Sequence, residues 1–290
     1  MKLVINDVAV SFGHKNVLQD LSMTLESGGL IGLIGPNGAG KTTLIKVITT
    51  LLQPTQGTVL LDGVDIGRHP NVMRQVLGYL PQTVPYYPQL SAKAYLQYVA
   101  AIKGLPSKRG DQQIIALLQQ LGLADVGKRK LAAFSGGMRQ RVAIAATLLG
   151  DPKVIIVDEP TTGLDPIERI RLRNLLSSLA SDRIVLMATH IISDVEAVAN
   201  DILLLQAGHL LFQGTALDMM QAAKKQVWEY ILPFGQQPRT GAVVSGIIQE
   251  SDGVHVREIA SGKPTADAVL IEPHLEDASM VLLDSQVSQR

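Results

Sequence analysis

The chain has 290 residues, 46% of them apolar, and its 26 lysines and arginines balance 26 aspartates and glutamates. That length and composition build a sizeable core in one large domain or two smaller ones, and zero net charge argues against a nucleic-acid partner, which usually meets a basic surface. The absence of cysteine excludes disulfide scaffolds, thiolate metal sites and cysteine nucleophiles, and no apolar run reaches the roughly 18 residues of a membrane helix.

In chain order, Val8, Val10 and Phe12 alternate with polar or small residues and predict a strand. Residues 30–34 predict a second strand, followed at once by a glycine-rich turn. Leu44, Ile45, Val47 and Ile48 then supply an apolar stripe at helical spacing. Residues 57–61 predict another strand, stopped by Asp62-Gly63. From Ser91 to about Gly150 the texture turns helical, with helices expected over 95–102 and 111–121. In the second, Ile114, Leu117, Leu118 and Leu121 form one amphipathic face. Strands are expected again over 154–157 and 184–188, with a helix over 169–179 between them. Residues 202–205 and 210–212, joined by Ala207-Gly208, read as a hairpin. This alternation predicts an α/β fold around a mainly parallel sheet. Past Thr215, Pro233, Pro238, Gly241 and Gly246 punctuate short β segments such as Val254-His255-Val256. A small, separate β-rich domain is expected there.

Gly35-Pro36-Asn37-Gly38-Ala39-Gly40-Lys41-Thr42 fits G-x-x-x-x-G-K-[ST] between a strand and a helix. Glycines let the backbone curl until several N–H groups point at one phosphate, and the helix N-terminus adds partial positive charge. Lys41 brings an ammonium to the β- and γ-phosphates, and the Thr42 hydroxyl is a ligand for Mg²⁺. These eight residues and Thr43 are the candidate nucleotide contacts. Downstream, the apolar strand over 154–157 ends in Asp158-Glu159. A carboxylate there holds Mg²⁺ in phosphate-loop NTPases, which is the role expected of Asp158. Glu159 is the candidate general base toward the attacking water.

Between these motifs, Phe134-Ser135-Gly136-Gly137-Met138-Arg139-Gln140-Arg141 resembles the signature motif of ATP-binding-cassette (ABC) ATPases. Gln82, after Tyr79-Leu80-Pro81, is similar to the family's Q-loop, Gly163-Leu164-Asp165-Pro166 to its D-loop, and His190 to its H-loop. Phe12 sits where the family places an aromatic against adenine; core packing is the other reading of that residue. The resemblance runs from about residue 1 to 220, with a helical subdomain at about 91–150, and leaves 221–290 as an accessory domain. It implies a phosphate-loop ABC ATPase core with an antiparallel β-subdomain. It implies two such domains paired head to tail around ATP. Lys41, Thr42, Asp158, Glu159, Gln82 and His190 would then act on one ATP, while Ser135, Gly136 and Gly137 come from the opposite subunit. Glu159, His190 and Gln82 form the implied catalytic group, and Thr42, Gln82 and Asp158 the implied Mg²⁺ set. Phe134 and Met138 depart from the family's leucine and glutamine, and the Ser-Gly-Gly centre is intact.

The resemblance also implies an ATPase that works with a second ATP-binding subunit and a separate transmembrane permease, cytoplasmic and peripheral on the inner face of the membrane. His274-Leu275-Glu276-Asp277-Ala278 is similar to segments ending export-type subunits and favours export. Tyr86, Tyr87 and Tyr95 either contact the permease or pack internally. A soluble ABC ATPase acting on ribosomes or DNA is the competing reading; its relatives carry two cassettes or a split one, unlike this chain. A single-site phosphotransfer protein would have no use for the signature motif. His14, His69, His209, His255 and His274 show no metal-ligand spacing and are treated as ordinary, and Trp228 as packing for the tail domain.

Overall fold

Lys2–Phe12 (β1) and Lys15–Glu26 (β2) pair antiparallel, and Gly29–Ile34 (β3) runs straight into the glycine loop. The computed structural model describes residues 1–287. Lys41–Ile48 is the helix after that loop (α1), with Leu44, Ile45, Val47 and Ile48 buried on its apolar stripe. Gln56–Leu61 (β4) and Val64–Asp65 (β5) complete a sheet of order β2-β1-β4-β5. Pro70–Val76 (α2) and Leu77–Leu80 (β6) follow. Neither was expected from the sequence, because each is short and its apolar positions fit no long period.

Three longer helices come next: Ala92–Ile102 (α3), Ser107–Gln120 (α4) and Gly136–Leu148 (α5). Ser91 caps α3 by accepting a hydrogen bond from the Ala94 N–H at 3.1 Å. Val154–Asp158 (β7), Pro166–Leu179 (α6) and Ile184–Thr189 (β8) restore the alternation. Strands β3, β8, β7 and β6 lie side by side in that order and run parallel. Every residue of β7 and β8 is buried, as expected of strands covered on both faces. Each buried Val, Ile or Leu there stabilises by about 1.5–3 kcal/mol over exposure. The parallel register sets the carboxyl ends of β3, β7 and β8 together, which is where ligands bind in open α/β sheets.

Ile192–Glu196 (α7), Asp201–Gln206 (β9) and His209–Thr215 (β10) follow. The turn between β9 and β10 has Ala207 at φ 49° and Gly208 at φ 85°. Two successive positive values are the mark of the turn type that suits hairpin twist. The chain divides into two compact units, Met1–Asp201 with Leu205–Leu210, and Ile202–Leu204 with the chain from Leu211 onward.

In the second unit, Ala216–Ala222 (α8) begins with a reciprocal cap between Thr215 and Asp218. Val227–Leu232 (β11), Val243–Glu250 (β12), Gly253–Ile259 (β13) and Val269–Leu270 (β14) form an antiparallel sheet of order β12-β13-β11-β14. Tyr230, Val256 and Ala268 form its buried cluster, with Trp228 packed against them. Leu275–Val287 (α9) closes the described chain. The β-rich expectation for the tail thus missed a helix of 13 residues. Among the described residues no helix is long and apolar enough to cross a membrane.

Candidate functional site

The loop between β3 and α1 has backbone geometry suited to an anion. Gly35 adopts φ 151°, and a Cβ there would lie 2.2 Å from the Leu205 carbonyl oxygen; Gly40 adopts φ 108°, with Leu18 at 2.6 Å. A side chain at either position would strain the backbone and break these contacts. Gly40 also caps α1 without any side-chain hydrogen bond, and no acidic residue sits in the first turn. The amide donors at this helix end are therefore not claimed by a protein carboxylate, and the helix dipole adds to their pull on an anion.

Lys41 is 7% exposed. Its Nζ donates to the Gly35 carbonyl at 2.6 Å and the Pro36 carbonyl at 3.2 Å. Burial lowers its pKa, while the charges of Glu159 and Asp158 pull the other way. The ammonium is thus held against its own loop, where a phosphate would replace two neutral acceptors by charged ones. Thr42 Oγ1 donates to Asp158 Oδ2 at 3.1 Å. Asp158 is 2% exposed, and burial raises its pKa against the hydrogen bond from Thr42.

Glu159 follows at φ 51°, a left-handed conformation for a residue that ordinarily avoids it. Its N–H donates to the Ala188 carbonyl at 2.8 Å. The parallel pairing of Asp158 with Ala188 then brings the glutamate beside the end of β8. There Glu159 Oε1 accepts from the His190 N–H at 3.0 Å and lies 2.9 Å from His190 Nδ1, and Oε2 accepts from Thr189 Oγ1 at 3.2 Å. A carboxylate oriented by an adjacent imidazole is a working arrangement for proton transfer.

One cleft of about 490 Å³ gathers Asn37, Gly38, Ala39, Gly40, Lys41, Thr42, Thr43, Gln82, Asp158 and Glu159. Most of the residues expected from the sequence therefore share a single cleft. Lys15, Asn16, Val17 and Ala207 also line it, and sequence reasoning missed all four, since only strand pairing brings them there. Thr189 was missed for the same reason. Phe12 is 54% exposed and pairs with Lys15 at the hairpin end; the core-packing reading of Phe12 is thereby corrected.

Ser135, Gly136 and Gly137 do not line the cleft. Ser135 caps α5, its Oγ accepting from the Met138 N–H at 3.2 Å. A Cβ on Gly136 would meet nothing within 4 Å. Packing among the described residues therefore gives no reason for a glycine at Gly136. Gln140 Nε2 donates to the Pro160 carbonyl at 3.0 Å, and Arg139 lies 5.1 Å over the Tyr86 ring. Tyr86 and Tyr87 are exposed, whereas Tyr95 is only 9% exposed and donates to the Pro85 carbonyl at 3.4 Å. The internal-packing reading therefore holds for Tyr95.

A parallel sheet whose strand ends present a glycine-lined anion cradle, a lysine and two buried carboxylates defines a phosphate-loop nucleotide hydrolase. Residues 18–162 match the family described as ABC transporter. The ABC transporter ATP-binding protein NatA of Bacillus subtilis (strain 168) is 34% identical over 216 residues, covering 74% of this chain and 88% of that protein. The daunorubicin resistance ATP-binding protein DrrA3 of Streptomyces coeruleorubidus is 30% identical over 289 residues, covering 90% of this chain and 92% of that one. A solved structure described as the ATP binding subunit of an ABC transporter superposes with a TM-score of 0.70 at 30% identity, covering 76% of this chain and 92% of its own. The chain belongs to the ABC transporter family, as an ATP-binding subunit with ATPase activity. Subunits of this family work as dimers with transmembrane partners.

Proposed function

We propose that this chain powers export through a separate membrane-spanning subunit, hydrolysing ATP between two cassettes paired head to tail. The exposed Gly136 carries this reading: a glycine that no packing among the described residues requires fits a backbone that a second cassette's nucleotide must approach closely. The Ser135 hydroxyl and the Gly136 and Gly137 backbone would then meet the γ-phosphate of ATP seated in the partner's cleft. Without that phosphate the donors have no acceptor, so pairing depends on ATP, and hydrolysis releases it.

Within one cleft, the loop amides from Gly35 to Thr43 and the Lys41 ammonium bind the phosphates, and Phe12 stacks on adenine. Gln82, Thr42 and Asp158 suit Mg²⁺, because all three offer hard oxygen donors. The buried Asp158 carboxylate accepts one hydrogen bond among the described residues and has a raised pKa, as expected of a group waiting for a cation. Bound Mg²⁺ neutralises charge developing on the phosphate oxygens. Glu159 takes the proton from the attacking water, and His190 orients Glu159 and reaches toward the γ-phosphate.

Export is favoured because similarity to the daunorubicin resistance protein extends over most of both chains. The site of action is the cytoplasmic face of a membrane. Replacing Glu159 by Gln should cut phosphate release by about 10²–10⁴-fold, the usual contribution of a general base. It should also trap a dimer in ATP and Mg²⁺, visible by size-exclusion chromatography with light scattering. A variant that stays monomeric at saturating ATP would rule out the paired mechanism.

A further inference from the structure

The accessory sheet carries a second polar cluster, one that no part of ATP hydrolysis uses. β13 is flanked by β12 and β11, and the register sets Ile248, His255 and Ile231 in one cross-strand row. Glu250 pairs with Gly253, and Glu229 with Arg257. Alternate residues of a strand share a face. Glu229, Glu250 and His255 therefore lie on the same side of the sheet, on three adjacent strands.

The β12–β13 turn brings in a fourth group. Gly253 adopts φ 150°, and a Cβ there would lie 2.6 Å from Ile231 and 2.7 Å from the Leu232 carbonyl. Glycine lets the chain turn back tightly enough that Asp252 reaches the histidine. Asp252 Oδ1 is 3.0 Å from His255 Nε2, and Glu250 Oε2 is 3.9 Å from the same nitrogen. On the other side of the ring, Glu229 Oε1 is 3.8 Å from Nδ1. One ligand atom each from Glu250, Asp252 and His255 lies within 4.8 Å of the others. An ion bonded at about 2.0–2.2 Å holds tetrahedral ligand atoms about 3.3–3.6 Å apart, and the distances from Nε2 of 3.0 Å to Asp252 and 3.9 Å to Glu250 bracket that spacing.

Charge points the same way. Three carboxylates face one imidazole, so the cluster stays net negative even when His255 is protonated. Arg257, the next residue on that face, does not compensate, because its guanidinium is engaged by Asp277 and the Glu272 carbonyl. Exposed ion pairs contribute only about 0–1 kcal/mol each, and a divalent cation would balance the remaining negative charge.

We propose that Glu250, Asp252 and His255 form a binding site for a divalent transition-metal ion. Nε2, which Asp252 Oδ1 approaches to 3.0 Å, is the nitrogen ligand, and Glu229 lies 3.8 Å from Nδ1 on the far side of the ring. A carboxylate behind a metal-binding histidine is the usual supporting arrangement. Imidazole with carboxylates and no thiolate suits Zn²⁺ or its first-row neighbours better than Mg²⁺ or Ca²⁺. Three protein ligands leave at least one position open, so the ion exchanges and can accept a further ligand. The sequence gives no hint of this set, because linear spacing carries no ligand signature and strand pairing assembles it.

The test is a Zn²⁺ titration of the full chain, stripped of metal and free of nucleotide, against a chelating dye, with Co²⁺ absorption reporting the coordination. One site per chain is expected. His255→Ala and Asp252→Asn should each weaken it at least tenfold and abolish the Co²⁺ band. Lys41→Ala, in the ATP cleft, should leave it unchanged, and circular dichroism of His255→Ala should match the parent. Zn²⁺ binding undiminished in His255→Ala, or no binding at millimolar Zn²⁺, would overturn the proposal.

Discussion

Two regions bury carboxylates in opposite ways. In the accessory unit, Glu258 is fully buried and meets Arg239 at 2.5 Å and the Tyr230 hydroxyl at 2.8 Å. Asp277 is 2% exposed and accepts from Arg257 at 2.5 Å, from the His274 N–H at 2.7 Å and from Ser245. In the ATP cleft, Asp158 is as deeply buried but has a single neutral donor, Thr42, among the described residues. Burying a charge costs stability unless it is paired and hydrogen-bonded. The accessory unit offsets that cost within the fold. The cleft leaves it standing, as functional sites often do.

The comparison breaks most visibly at Asp277. Asp277→Ala removes one partner of a buried pair and should destabilise the accessory unit by about 3–5 kcal/mol. Thermal unfolding should show the loss, while ATP turnover per folded molecule stays near that of the parent. Burial alone would raise the Asp277 pKa, but Arg257, Ser245 and the His274 N–H hold it below its ordinary 3.8. Its stabilising contribution is therefore present above pH 3.8 and lost as pH falls through the depressed folded value. The variant should lack that part of the acid sensitivity.

At Asp158 the sign reverses. Its folded pKa is raised by burial, so the ionised carboxylate is disfavoured in the fold and neutralisation relieves that cost. Asp158→Asn should therefore melt slightly higher than the parent without nucleotide, yet hydrolyse ATP far more slowly and lose its response to Mg²⁺. A melting point that falls would mean that Asp158 is a structural carboxylate like Asp277.

The cleft was more legible in the sequence than the accessory unit, and the reason is contiguity. The run from Gly35 to Thr43 carries its own turn, helix start and charged group, and Val154 to Glu159 carries a strand and its acids. Each is decided by neighbours along the chain. What stayed hidden depends on pairing across distance: Lys15 and Asn16 in the cleft wall, Thr189 beside Glu159, and the Glu250, Asp252 and His255 set. Helix α9 was missed because the prolines and glycines before it suggested a β-rich tail throughout. Its Asp277 was singled out within a motif, yet Arg257, its partner, lies 20 residues earlier on β13.

The smallest effect is expected at Phe12, opposite the cleft-lining Lys15 at the end of the β1–β2 hairpin. Its ring is 54% exposed, so it adds little to the core, and truncation should leave the melting temperature unchanged. An aromatic pair adds about 0.5–1.5 kcal/mol beyond the area it buries. If the ring stacks on adenine, Phe12→Ala should weaken ATP binding by about twofold to tenfold, and Phe12→Tyr should restore it. If the ring meets only the base, inorganic triphosphate should bind parent and variant alike. Equal loss for triphosphate and ATP would instead mean that the hairpin end shapes the phosphate loop, and that Lys15 and Asn16, its cleft-facing residues, are the contacts that matter.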